Sequence, residues 1–122
     1  MRYWIIFLFI LPTYSFAQRD STDYIKAIRH SIKVALKDKS FKHIITNKPI
    51  SDKQTAIEVA EPILFKTYGK DRIRDEQPYN ADFIDGYWVL SGTLPYYYTK
   101  GGTFLIILDG KDGNVIKLTH SK

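Results

Sequence analysis

The stretch that decides the fold spans residues 85–120 and reads DGYWVLSGTLPYYYTKGGTFLIILDGKDGNVIKLTH. It contains three apolar runs, at residues 87–94, 103–108 and 115–119, each bounded by Gly, Pro or Asp. Short apolar runs with such boundaries are typical of antiparallel strands. The stretch has no paired carboxylates, cysteines or nucleophile elbow, and this indicates a binding protein.

A fourth strand is predicted upstream, at residues 79–84, where polar and apolar residues alternate after Pro78. Asp85-Gly86 is a dipeptide that favours a type I′ turn, so the first two strands should form a hairpin. Residues 109–113 should connect the last two strands in the same way.

Side-chain alternation predicts which strands are covered on both faces. The second and third strands are apolar on both sides, whereas the fourth places Ile116 and Leu118 opposite Lys117 and Thr119. One face of the sheet can take a helix. The other face should be covered by a second helix, by the curled sheet itself or by a partner.

The first helix is predicted over residues 22–36, where Ile25, Ile28, Ile32 and Leu36 recur at helical spacing. Lysine and arginine residues lie between them, so this helix is amphipathic. Residues 38–46 lose the period and form an irregular linker.

The second helix is predicted from Asp52 to about Tyr68, because Ser51 and Gln54 have the spacing of a capping box. Gly69 is well placed to end it. Pro62 should kink or break it near Ala60. The charged residues 70–77 are predicted to form an exposed loop.

Residues 1–17 have the pattern of a secretory signal peptide: Arg2, an apolar run at residues 3–11, and a Ser-Phe-Ala ending. We expect cleavage near Ala17 and a periplasmic or secreted product. The chain has no cysteine to carry a lipid, so no stable membrane anchor is expected after cleavage. The remaining 105 of the 122 residues suit one domain, with a helix and linker at residues 18–50 and a helix plus sheet at residues 51–122.

The net charge of the whole chain is +5, or +4 without Arg2 of the signal peptide. The two signs are interspersed, so nucleic acid is not a predicted partner. One basic excess, over residues 26–48, is interpreted as a solvated helix face, and its role is left open. A basic protein complements an acidic partner surface.

No metal, cofactor or catalytic residue is predicted. His30, His43 and His120 have no ligand at metal-binding spacing, and His120 is interpreted as a strand-end histidine with its ring partly buried. Residues 109–114 resemble a calcium loop but lack its terminal glutamate. Gly101-Gly102-Thr103 precedes a strand where a phosphate loop would open a helix.

The candidate contact site is the connection between the second and third strands. Tyr96, Tyr97, Tyr98 and Lys100 lie there, and three consecutive tyrosines cannot all enter one core. Tyrosine is enriched at protein interfaces, although a tyrosine that packs over its own sheet is an equal alternative.

The second half of the chain resembles the bacterial nuclear transport factor 2 fold immunity proteins. The matching pieces are YG at 68, PY at 78, DGYWV at 85, SGTLP at 91, GGTF at 101, D at 109, KDG at 111, V at 115 and H at 120. The resemblance implies an α+β protein whose N-terminal helices pack on a curved four-stranded antiparallel sheet, with a cone-like shape as in cystatin and nuclear transport factor 2. It also implies neutralisation of a cognate toxin. It brings no catalytic residues, and its pattern residues are expected to be structural: Trp88, Gly92, Pro95, Gly101, Gly102, Phe104, Asp109 and Gly113.

Two other functions stay open. Exported PepSY-like domains, which inhibit peptidases or act as chaperones, are similar in their strand, turn, strand pattern. Ketosteroid-isomerase-like enzymes place Asp and Tyr inside a similar cone, and here Asp82, Tyr87 and His120 are the residues that such a site would use.

Overall fold

The computed structural model describes residues 21–94 and 101–122 of the chain. Within these ranges, no helix is both long and apolar enough to cross a membrane. The elements are α1 (Ser21–Lys37), α2 (Lys53–Tyr68), α3 (Lys70–Arg74), β1 (Asn80–Ile84), β2 (Tyr87–Ser91), β3 (Phe104–Asp109) and β4 (Val115–His120).

The four strands form one antiparallel sheet in the order β1-β2-β3-β4, so each strand pairs with its neighbour in the chain. At the β1–β2 turn, Asp85 and Gly86 have φ values of 52° and 87°, as a type I′ hairpin requires. The predicted α+β fold class is confirmed. β2 ends at Ser91, three residues before its predicted end.

The two faces of the sheet are covered by different helices. α2 packs on one face, and α1 packs on the other. Alternate residues of the central strands separate the two cores, so that Leu90 and Ile106 lie under α2 while Val89 and Ile107 lie under α1. Of the three coverings left open for the second face, α1 is therefore the one observed.

The buried stripe of α1 differs from the prediction at its C-terminal end. Leu36 is 50% exposed, while Ala35 joins Ile28 and Ile32 in the core. With 3.6 residues per turn, Ala35 lies about 20° from the direction of Ile28, whereas Leu36 lies about 80° away. A small side chain in the right direction is buried in preference to a larger one that points away.

A β-bulge in β4 overturns the prediction that this strand is apolar on one face only. Lys117 pairs with Ile107 and Val115 pairs with Leu108, which leaves Ile116 as the extra residue. Such a residue reverses the alternation of the strand. Val115 accordingly packs in the core under α2 and Ile116 in the core under α1, and both are buried.

The start of α2 also differs from the prediction. Asp52, and not Ser51, is the N-cap, since its carboxylate accepts a hydrogen bond of 2.7 Å from the Thr55 N–H. Gln54 instead donates to Glu58. The predicted break near Ala60 is absent, because Pro62 lies on the exposed side of α2, where water can reach the carbonyl that lacks its donor.

Residues 70–77 do not form the exposed loop that their charge predicted. The segment begins with the short helix α3, whose Ile73 is fully buried against the core under α2. Glu76 follows and is 5% exposed, so two side chains of this charged segment point inward.

Candidate functional site

A buried pair of charged side chains lies beside the core under α2. Nε2 of His120, at the end of β4, is 3.1 Å from Oε2 of Glu76, which follows α3. The two side chains are 8% and 6% exposed, respectively. His120 is a strand-end histidine, as interpreted from the sequence, but its partner was not predicted.

Glu76 also holds both ends of the connection between β2 and β3. Its Oε1 accepts a hydrogen bond of 2.8 Å from the backbone N–H of Phe104, which begins β3. Its backbone carbonyl accepts one of 2.7 Å from the N–H of Thr93, and the Thr93 hydroxyl donates to the carbonyl of Pro78. One buried residue therefore fixes the chain immediately before and after residues 94–103.

Close packing at Gly92 explains why this position lacks a side chain. A Cβ atom there would lie 2.7 Å from Cβ of Glu76 and 3.2 Å from Cδ1 of Phe104. Gly102 is restricted similarly, since its Cβ would overlap Ser121. Two glycines of the sequence pattern thus let the backbone approach the residues that hold the β2–β3 connection.

The hydrogen bonds of His120 limit what the pair can do chemically. Nε2 faces the Glu76 carboxylate, and Nδ1 lies 2.8 Å from the carbonyl oxygen of Ser121. Both ring nitrogens face acceptors, an arrangement that an imidazolium beside a carboxylate satisfies completely. Neither nitrogen has a lone pair directed at a substrate, so the pair acts as a structural anchor.

Tyr68 completes the surroundings of this pair. Its ring centroid lies 5.2 Å from that of His120, with the two ring planes tilted by 56°. Burial raises the pKa of the Tyr68 hydroxyl; the nearby Glu76 charge adds to the rise and Arg72 opposes it. The phenol is therefore held in its neutral form at ordinary pH.

The structure does not bring together the three residues of the enzyme alternative. Tyr87 packs in the core under α1, and Asp82 accepts a hydrogen bond from Tyr24 of α1. His120 is paired with Glu76 on the opposite side of the sheet. The fold thus separates these residues instead of gathering them in one pocket.

Two of the remaining pattern residues support the irregular segment before α2. The indole N–H of Trp88 donates a hydrogen bond of 3.2 Å to the carbonyl of Ile50. Gly113, with φ of 72°, lies so close to Lys48 and Thr46 that no side chain would fit. These contacts position the segment that leads into the Asp52 cap.

The other pattern residues lie at the β3–β4 turn and around the β2–β3 connection. Asp109 accepts a hydrogen bond of 2.9 Å from the Lys111 N–H within the turn. Phe104 is fully buried in the core under α2, and Gly101 has a positive φ of 126°. Pro95 lies outside the described residues.

The tyrosines of the candidate contact site, Tyr96, Tyr97 and Tyr98, and the neighbouring Lys100 also lie outside the described residues. Their role in binding stays a prediction. The residues next to them are described: Leu94 is 38% exposed, and Thr93 and Phe104 are held by Glu76. Sequence reasoning missed this role of Glu76, because a glutamate in a charged segment carries no local signal of burial.

Two polar contacts attach α1 to the β1–β2 hairpin. The Tyr24 hydroxyl donates a hydrogen bond of 3.1 Å to Asp82, and Nε of Arg29 lies 2.9 Å from Asp85. Burial and the nearby Asp82 carboxylate raise the pKa of Tyr24 to about 12. These contacts fix the side of α1 that faces β1 and leave the opposite side exposed.

Comparison with known proteins places this arrangement in a family. Residues 55–122, which contain α2, α3 and all four strands, match the family described as NTF2 fold immunity protein. The chain therefore belongs to the NTF2 fold immunity proteins, as the resemblance predicted. The α+β architecture of helices and a four-stranded antiparallel sheet agrees with this fold.

Two curated relatives come from Escherichia coli (strain K12), and both are named as uncharacterized proteins. YhhH is 29% identical over 93 residues, which cover 76% of this chain and 73% of YhhH. YbbC is 34% identical over 67 residues, which cover 55% of each chain. No solved structure gives a significant match.

Proposed function

We propose that this protein binds a cognate bacterial toxin and neutralises it without catalysing a reaction. The observation that carries the proposal is the family match, because it includes α2 and the complete sheet. Membership of an immunity-protein family implies a toxin partner and a non-enzymatic role.

The anchor at Glu76 supports a binding role for the end of the sheet where β2 leads into β3. Rigid attachment of both ends lowers the entropy that a connecting segment loses when it binds. Leu94, which is 38% exposed, adds apolar surface beside this attachment. We propose that Tyr96, Tyr97 and Tyr98 extend the contact, with Lys100 at its border.

We further propose that the toxin is met outside the cytoplasm. The support is the signal-peptide pattern of residues 1–17, with cleavage near Ala17. A toxin that acts on the cell wall or membrane fits this location. The net positive charge favours a toxin with an acidic contact surface.

Co-expression tests the function directly. The full-length chain is produced together with the exported product of the large open reading frame next to its gene, and cell survival is measured. We expect full-length protein to restore growth and a form without residues 1–17 to protect less, because it stays in the cytoplasm. An equally expressed, unrelated exported protein serves as the control.

Purification of the two proteins together provides the second measurement. A stable complex with restored growth supports the proposal, whereas absence of both would overturn it. Inhibition of several unrelated peptidases by the purified chain would instead favour the PepSY-like alternative.

A further inference from the structure

The exposed side of α1 carries a continuous row of basic residues, here termed the basic stripe: Lys26, His30, Lys33 and Lys37. Their spacing of four, three and four residues places them on one side of a helix. Ile28 and Ile32 point the other way, into the core against the sheet. The stripe is therefore directed to solvent by the same packing that buries α1.

The positive charge of the protein is concentrated near this stripe. Residues 21–54 contain eight Lys and Arg residues against three Asp and Glu residues. Residues 55–122, which match the family, contain eight against nine. The excess basic charge thus lies almost entirely outside the family-matching part of the chain.

Within the described ranges, neither Lys26 nor Lys33 takes part in an ion pair; the pairs found there are Arg29 with Asp85 and His120 with Glu76. Lys33 instead has like charges four residues away on both sides, at Arg29 and Lys37. Such like-charge pairs destabilise a helix. Helix stability alone accounts only for Lys37, which lies in the last turn, where the helix dipole favours a cation.

We propose that the basic stripe docks on an acidic surface of the toxin, a proposal that rests on the function proposed above. Charge complementarity attracts the partner over a distance and orients it before contact. Val34, which is 50% exposed, lies next to His30 and Lys37 on the helix and offers an apolar contact at the edge of the stripe. The sequence alone favoured a solvated face here; the asymmetric charge and the missing counter-charges favour a binding surface.

The test compares two double variants with the same change in net charge. Lys26→Glu/Lys33→Glu alters the stripe, while the control Lys70→Glu/Lys111→Glu alters exposed lysines elsewhere. The probe is a catalytically inactive form of the toxin encoded beside the gene, and association rates are measured at several salt concentrations. We expect the stripe variant to associate roughly tenfold or more slowly at low salt, with a weaker salt dependence, and the control to stay within about twofold of wild type.

An unchanged association rate in the stripe variant, or an equal loss in both variants, would overturn the inference. Binding of the wild type to phosphatidylglycerol vesicles that the stripe variant loses, with toxin association unchanged, would assign the stripe to a lipid surface and also overturn it. Circular dichroism melting of both variants verifies that α1 stays folded. If the wild type itself neither binds nor protects, the proposed function fails first; if all forms bind equally, only the stripe proposal fails.

Discussion

The carboxylate of Glu76 and the imidazole of His120 lie 3.1 Å apart, although 44 residues separate them in the chain. Both side chains are almost completely excluded from solvent. Glu76 simultaneously accepts the backbone N–H of Phe104, so this one contact couples the end of β4 to the start of β3. Several predictions about stability and binding depend on this geometry.

Replacing Glu76 should strongly destabilise the protein. Glu76→Ala removes the acceptor of His120 and of the Phe104 N–H, and breaking a buried ion pair on one side costs about 3–5 kcal/mol. Glu76→Gln should cost less, because its amide oxygen can still accept from Phe104. Urea unfolding measures both variants. Exposed Glu58→Ala is the control, for which a change below about 0.5 kcal/mol is expected; an equally small change for Glu76→Ala would contradict the structural role.

The two members of the pair should be energetically coupled. In a double-mutant cycle of Glu76→Gln and His120→Gln, the double variant should be more stable than the summed single effects predict, by about 0.5–3 kcal/mol. The reason is that each single change leaves the other buried group without its partner. Additive effects in urea unfolding would show that the 3.1 Å contact contributes no specific stabilisation.

Substitutions in α1 should distinguish its observed register from the one that the sequence predicted. Ile32→Ala removes a buried side chain and should cost about 2–5 kcal/mol. Leu36→Ala truncates a side chain that is 50% exposed, so its cost should be much smaller. Chemical denaturation of both variants measures the difference. Equal losses would place Leu36 in the core and contradict the observed packing.

The Tyr24 contact with Asp82 should make stability depend on alkaline pH. Because the folded-state pKa of Tyr24 is raised from 10.0 to about 12, its contribution is fully present below pH 10 and decreases as pH rises toward 12. Tyr24→Phe should remove this part of the pH dependence, which urea midpoints between pH 8 and pH 11 can detect. An unaltered alkaline slope in Tyr24→Phe would show that other groups cause it.

The three tyrosines of the β2–β3 connection should affect binding more than folding. Changing Tyr96, Tyr97 and Tyr98 together to Ala should weaken toxin affinity at least about tenfold if they form the centre of the contact. The melting temperature should stay close to that of wild type. A lower melting temperature with unchanged affinity would instead assign these rings to packing against the sheet. The triple Phe variant, which keeps the rings, is the matched control.

Much of the fold follows from local patterns. The runs and turns between residues 79 and 120 predicted the four antiparallel strands and the type I′ turn at Asp85-Gly86. These features depend on the backbone preferences of neighbouring residues and on alternating apolar side chains, which one segment reveals without its partners. The family resemblance likewise depends on short motifs.

The details that differ from the sequence-based expectations depend on distant contacts. The bulge at Ile116 places one extra apolar residue on the face that α1 covers, and simple alternation has no term for such an insertion. Glu76 looked like part of an exposed charged loop, because its two strongest partners, Phe104 and His120, lie 28 and 44 residues away.

The sequence by itself determined the strands, the hairpins, the amphipathic helix and the family of this protein, because each is encoded within a few neighbouring residues. Only the tertiary structure decided which helix covers which face, why Ala35 is buried and Leu36 is not, and where Glu76 finds its partners. Those outcomes depend on burial and on hydrogen bonds between segments far apart in the chain. A local pattern contains no information about which distant group will lie within 3 Å of a side chain.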